Sequence, residues 1–118
     1  MQRKATSNTR GPNALESSFH KWIKERGGCA ACDNDGGVIM HHCMGATYKH
    51  NKTLVGHMFC IGLCQRCDDI ITYGSRKAFT SKFGKQSALW HALVNEWSEQ
   101  TGHKCDFEIK KAILDSRQ

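Results

Sequence analysis

Apolar residues first recur at helical spacing after Asn13, where Leu15, Phe19, Trp22 and Ile23 share one face until Gly27-Gly28 stops the run. Asn13 suits the N-cap of that helix and the glycine pair its end. The pattern then shortens. Asp33-Asn34-Asp35-Gly36-Gly37 is dense in turn formers, and Val38-Ile39-Met40 leads into His41-His42, which predicts a short strand over about 37–42. Residues 43–57 read as a loop rich in Gly, Lys and His, and Met58 to Leu63 as a second strand running into Cys64. A helix is expected to begin near Cys67, with Asp68 and Asp69 at its positive N-terminal end and Tyr73 closing its first turns. Gly74-Ser75 interrupts it, Arg76 to Phe83 continue as a second helical piece, and Gly84 closes that piece. Leu89, Trp90, Leu93, Val94 and Trp97 mark the clearest helix of the chain, ending near Gly102. A last helix runs from Asp106, a plausible N-cap, to about Ser116.

The first 13 residues carry Arg3, Lys4 and Arg10, no acid and almost nothing apolar, so no core there can offset the entropy of ordering them. We therefore expect a disordered basic arm over 1–13 and one small domain over 14–118, since 118 residues allow one modest core. The arm has two readings, a non-specific phosphate tether and a solubilising tail. The formal charge of +6 favours a polyanionic partner, such as nucleic acid, over an acidic protein. There is no apolar leader and no run long enough to span a membrane, so the chain reads as intracellular, in the cytoplasm.

Candidate chemistry sits on the hairpin and its flanks. Cys29-x-x-Cys32 and Cys64-x-x-Cys67 are two short chelating hooks, and four thiolates so spaced suit a closed, tetrahedral, structural zinc ion. Redox pairs are the poorer reading, because neither hook sits at the strand-to-helix turn of a βαβ unit. Cys43, Cys60 and Cys105 read as buried or half-buried thiols. His41-His42 alone would pass for a surface pair, but between two hooks it reads as a site. Asp68 can be a helix cap or a metal ligand, while Asp69 reads as a cap or a solvated acid. His20, His50, His91 and His103 show no partner spacing and read as solvated or packing residues. Lys49, Lys52, Arg66, Arg76 and Lys77, with Lys82 and Lys85, are the candidates for phosphate contacts, against the plainer reading of a solvated face.

This arrangement of hook, His-His strand, basic loop, second hook and helix resembles the HNH, or ββα-metal, nuclease superfamily, with an endonuclease VII-like hook layout. It is most similar to the phage recombination-enhancement (Ref-like) nucleases, through His41-His42, Gly45 to Lys52, His57 and Cys60-Ile61-Gly62-Leu63-Cys64, over roughly residues 15–98. The resemblance implies an α+β fold, a small zinc-stapled ββα-metal core flanked by helices. It also implies a metal-dependent DNA endonuclease of phage or prophage recombination or repair, with DNA and a host recombinase filament as partners. His42 would then be the general base, His41 and Asp68 the ligands of a catalytic divalent ion, and His57 the loop residue that orients the base. The products would be a 5′ phosphate and a 3′ hydroxyl. Where Ref-like nucleases offer a His pair at the second hook, this chain has Cys67-Asp68, a thiolate that suits zinc and an oxygen ligand that suits Mg²⁺ or Mn²⁺. A zinc-stapled nucleic-acid-binding module without catalysis is the alternative, and a zinc domain for protein contacts a third reading.

Overall fold

The computed structural model describes residues 11–45, 47–50 and 53–116. Residues 1–10 of the expected basic arm and the phosphate candidate Lys52 lie outside the described residues. Helix α1 spans Ala14–Arg26, β1 Ile39–His42, β2 Lys49–His50, β3 Thr53–Leu54 and β4 Cys60–Leu63. After these come α2 Gln65–Asp69, α3 Arg76–Phe83, α4 Gln86–Thr101 and α5 Phe107–Leu114. The class is α+β.

Helix α1 starts where the sequence predicts. The Asn13 side chain accepts from the Glu16 backbone N–H at 2.8 Å, and the Glu16 carboxylate accepts from the Asn13 N–H at 2.8 Å, a reciprocal capping box. Gly27 ends the helix at φ 83°, a backbone region in which a side chain is costly. The buried stripe of α1, Phe19 and Ile23, packs on the hairpin formed by β1 and β4. Those two strands pair antiparallel, with Met40 opposite Gly62, His41 opposite Ile61 and His42 opposite Cys60.

Gly62 is where the helix and the hairpin come closest. A Cβ there would stand 2.6 Å from Ile23 Cγ2 and 3.1 Å from Val38 Cγ2, so only glycine lets α1 settle on β4. The Gly62 carbonyl also accepts from the Ala30 N–H at 2.8 Å, which ties the first cysteine hook to the same strand. From the other side α4 brings Trp90, whose indole N–H donates to the Met58 carbonyl at 2.8 Å. Phe19, Ile61, Leu63, Phe79, Trp90, Leu93, Val94 and Trp97 form one continuous core.

Several boundaries differ from the sequence expectation. The strands are shorter than 37–42 and 58–63, because Gly37 adopts φ 98° and Met58 lies in a turn. The loop 43–57 contains the short β2–β3 hairpin, against which α5 packs. Helix α2 begins at Gln65, directly after Cys64 and earlier than expected, so Asp68 still lies in its first turn, but Cys64 and not an acid stands at the cap position. The chain then passes through one π turn, Ile70–Gly74, before Ser75 caps α3 by accepting from the Ala78 N–H at 3.0 Å. Among the described residues no helix is long and apolar enough to cross a membrane.

Candidate metal centre and histidine cluster

The two hooks converge. The sulfurs of Cys29, Cys32, Cys64 and Cys67 all lie within 4.8 Å of one another, and those of Cys32 and Cys64 are 3.7 Å apart. Four thiolates around zinc at ~2.3 Å sit about 3.8 Å from each other, so the donor set has the size of a tetrahedral site. The first hook is shaped by backbone: Cys29 N–H donates to the Asn34 carbonyl at 3.0 Å, Asp33 N–H to the Cys29 carbonyl at 3.0 Å, and Asp33 takes φ 63°. Burial works against ionising Cys29, but the backbone N–H groups of Cys32, Cys64 and Ala31 outweigh it and bring the thiol down to about 7. At Cys67, burial and then the crowding of the other three thiols push ionisation well up. Cys29 is thus eased toward the thiolate while Cys67 is held from it. A bound cation removes that opposition, so the four residues fit a structural zinc ion.

The histidine step at the end of β1 splits across the strand, because successive side chains point to opposite faces. His41 turns toward α2 and α4: its Nδ1 lies 3.0 Å from Asp68 Oδ1, and its Nε2 lies 3.1 Å from the buried Gln86 amide oxygen. Asp68 is therefore a histidine partner and not a helix cap, and the residue before α2 is Cys64, which makes no side-chain cap bond. Asp69 neither caps nor stands free; it accepts from the Gln65 amide at 2.7 Å.

His42 turns to the other face, toward α1. Its Nε2 lies 3.1 Å from His57 Nδ1, with the two rings nearly perpendicular, and the His20 ring centroid is 6.0 Å from that of His42. His20 Nε2 donates to the His57 carbonyl at 2.6 Å, and the Cys60 thiol donates to the same oxygen at 3.2 Å. Burial keeps the Cys60 thiol protonated, as that bond requires. The loop residue His57 is thus fixed at its backbone from two sides while its ring meets His42. Burial, followed by the like charges of His57, His20 and His41, pulls His42 below the ordinary histidine range; the buried Glu16 works in the opposite direction. His20 is lowered as well, chiefly by burial.

The sequence reading missed His20. It is no isolated packing residue but a member of the cluster, and its signal was present as Glu16 one turn earlier on the buried face of α1. His91 and His103 do lie elsewhere, against Asn95 and on the Trp97 ring. Lys49, Arg66, Arg76 and Lys77 are exposed. Of the remaining thiols, Cys43 and Cys60 are buried and Cys105 half-buried, as expected.

Fold and site together define a small α+β domain carrying a four-cysteine centre that can hold a metal ion. Residues 11–102 match the family described as "Protein of unknown function (DUF968)", and the chain belongs to that family. No curated protein and no solved structure matches it.

Proposed function

We propose that this protein is a metal-dependent DNA endonuclease of the HNH type, its ββα-metal core made by β1, β4 and α2 and stapled by zinc on Cys29, Cys32, Cys64 and Cys67. The observation that carries the reading is the split His41-His42 step. One imidazole faces a carboxylate 3.0 Å away and the next faces a second histidine 3.1 Å away, on a hairpin whose second strand runs into the four-cysteine cluster. His41 and Asp68 are the residues that would hold Mg²⁺ or Mn²⁺. Such an ion, when bound, supplies charge neutralisation at the phosphate and the departing 3′ oxygen.

His42 is the general base. Held neutral by burial and by its histidine neighbours, its ring is ready to accept a proton. Water loses one proton to His42 as its oxygen bonds to phosphorus; the bond from phosphorus to the 3′ oxygen breaks and that oxygen takes a proton from solvent, leaving a 5′ phosphate and a 3′ hydroxyl. His57 orients the base through its ring, and His20 and Cys60 act one step behind by holding the His57 carbonyl. The exposure of Lys49, Arg66, Arg76 and Lys77, in a chain of formal charge +6, supports them as phosphate contacts. Phage recombination or repair, with a host recombinase filament as partner, remains the context suggested by the Ref-like resemblance.

A second reading has its own support. Both nitrogens of His41 already have partners, and among the described residues no third His, Cys, Asp or Glu joins His41 and Asp68. That closed arrangement favours a zinc-stapled DNA-binding module without catalysis. Nicking of supercoiled plasmid in Mg²⁺ or Mn²⁺ separates the two. The endonuclease nicks, and His42→Ala slows it by about 10²–10⁴-fold with zinc content and DNA binding retained. Binding with no nicking in either metal leaves only the module.

A further inference from the structure

We propose that Tyr73 is a stacking platform for an unpaired base, so that the strand taken by this protein is single-stranded or branched DNA and not uninterrupted duplex. The proposal rests on the DNA reading above and names the form of DNA.

Tyr73 is 84% exposed, the most exposed large apolar side chain among the described residues. Its ring contributes nothing to the core. The backbone beneath it is nevertheless anchored, because Ile70 and Ile71 of the same π turn pack against the core and Ser75 caps the helix that follows. A π turn interrupts regular helical hydrogen bonding and recurs at functional sites. Here it presents an aromatic ring to solvent between the helix carrying Asp68 and a basic helix. That basic helix, α3, exposes Arg76, Lys77 and Lys82, Lys85 follows it, and no acid occurs from Ile70 to Asn95. The two acids just before the turn are engaged, Asp68 with His41 and Asp69 with Gln65.

An exposed ring with cations on one side is what a single strand requires. Its phosphates meet the positive charge, and any base can stack on the ring, since every base has a π face. Tyr73 follows Asp68 by five residues on one continuous helical run, so the ring and the proposed site belong to the same stretch of chain. In a continuous duplex every base is already stacked on its own neighbours.

The test uses the full chain loaded with zinc and without added Mg²⁺ or Mn²⁺, titrated against a single-stranded oligonucleotide carrying 2-aminopurine and against its duplex. The wild-type protein is expected to bind the single strand more tightly and to quench 2-aminopurine. Tyr73→Ala should lose about tenfold in single-strand affinity and lose the quench, with duplex binding unchanged, whereas Tyr73→Phe keeps both. Equal single-strand binding by Tyr73→Ala and wild type, or a wild-type preference for duplex, overturns the proposal. Plasmid nicking measured in parallel tells the failures apart. Nicking with no Tyr73 effect removes this inference alone, and a protein that neither binds nor nicks DNA removes the endonuclease reading with it.

Discussion

At the scale of single residues, the chemistry depends on how each histidine is held. His57 has its backbone carbonyl clamped by His20 and Cys60 while its ring meets His42, so the proposed base is oriented through a chain that begins on α1. Removing the clamp should be felt at a distance. His20→Ala deletes one neutral hydrogen bond of about 1 kcal/mol, which corresponds to roughly a fivefold fall in nicking rate. His20→Gln, which keeps a donor, should recover part of it with zinc content unchanged. Equal rates for wild type and His20→Ala would remove His20 from the positioning chain. A pH effect follows from the same burial. His20 ionises below its ordinary value of ~6.5, held down chiefly by burial, with the His57 ring and Lys24 acting the same way and the His57 carbonyl and Glu16 acting against them. Between its folded value and ~6.5 the unfolded chain binds more protons, so stability is lost as pH falls through that window and is level above it. The melting temperature should drop on acidification below ~6.5, and the drop should be smaller in His20→Gln; parallel curves would show that His20 is not held neutral.

At the scale of elements, α1 and β4 depend on each other through Gly62. The strand needs no special backbone angle there; it needs space, since the nearest Ile23 carbon would be 2.6 Å from an added Cβ. Gly62→Ala should cost about 1–3 kcal/mol, the range for overpacking a well-filled core, read as a lower denaturation midpoint at unchanged slope. A midpoint within experimental error of wild type would mean that α1 rides on the hairpin less tightly. Because α1 also carries Glu16 and His20, the same displacement should slow nicking. Helix α2 shows the opposite relation between sequence and position. It is only a short element, begun early by the second hook, and that early start puts Asp68 past the cap position, within the first turn and against His41.

At the scale of the whole molecule, the metal centre joins two distant stretches of chain. The first hook follows α1, the second joins β4 to α2, and the Ala30–Gly62 bond runs beside them. Structural zinc contributes an apparent ~10–16 kcal/mol in small domains, comparable with or above the ~5–15 kcal/mol total of an ordinary fold. One zinc per chain is expected by metal analysis. Its removal by a chelator should abolish the cooperative thermal transition, and Cys67→Ser should behave like the chelated protein. A sharp transition at nearly the same temperature after complete zinc removal would show that the core formed by Phe19, Trp90 and Trp97 suffices alone.

Much of this was legible in the chain. Asn13, the Gly27-Gly28 pair, Gly84 and Gly102 mark helix ends through local backbone chemistry, and the two hooks point to a shared site by spacing alone, so helices and the four candidate metal ligands followed from neighbours in sequence. Alternation along β1 likewise separates His41 from His42. What only the tertiary structure decided is which groups those side chains meet. Gln86 reaching His41 and His20 closing on His57 depend on the docking of α4 and α1 on the hairpin, and Asp68 meeting His41 depends on where α2 starts. Contacts between distant stretches are set by packing geometry, which a local pattern of residues does not encode.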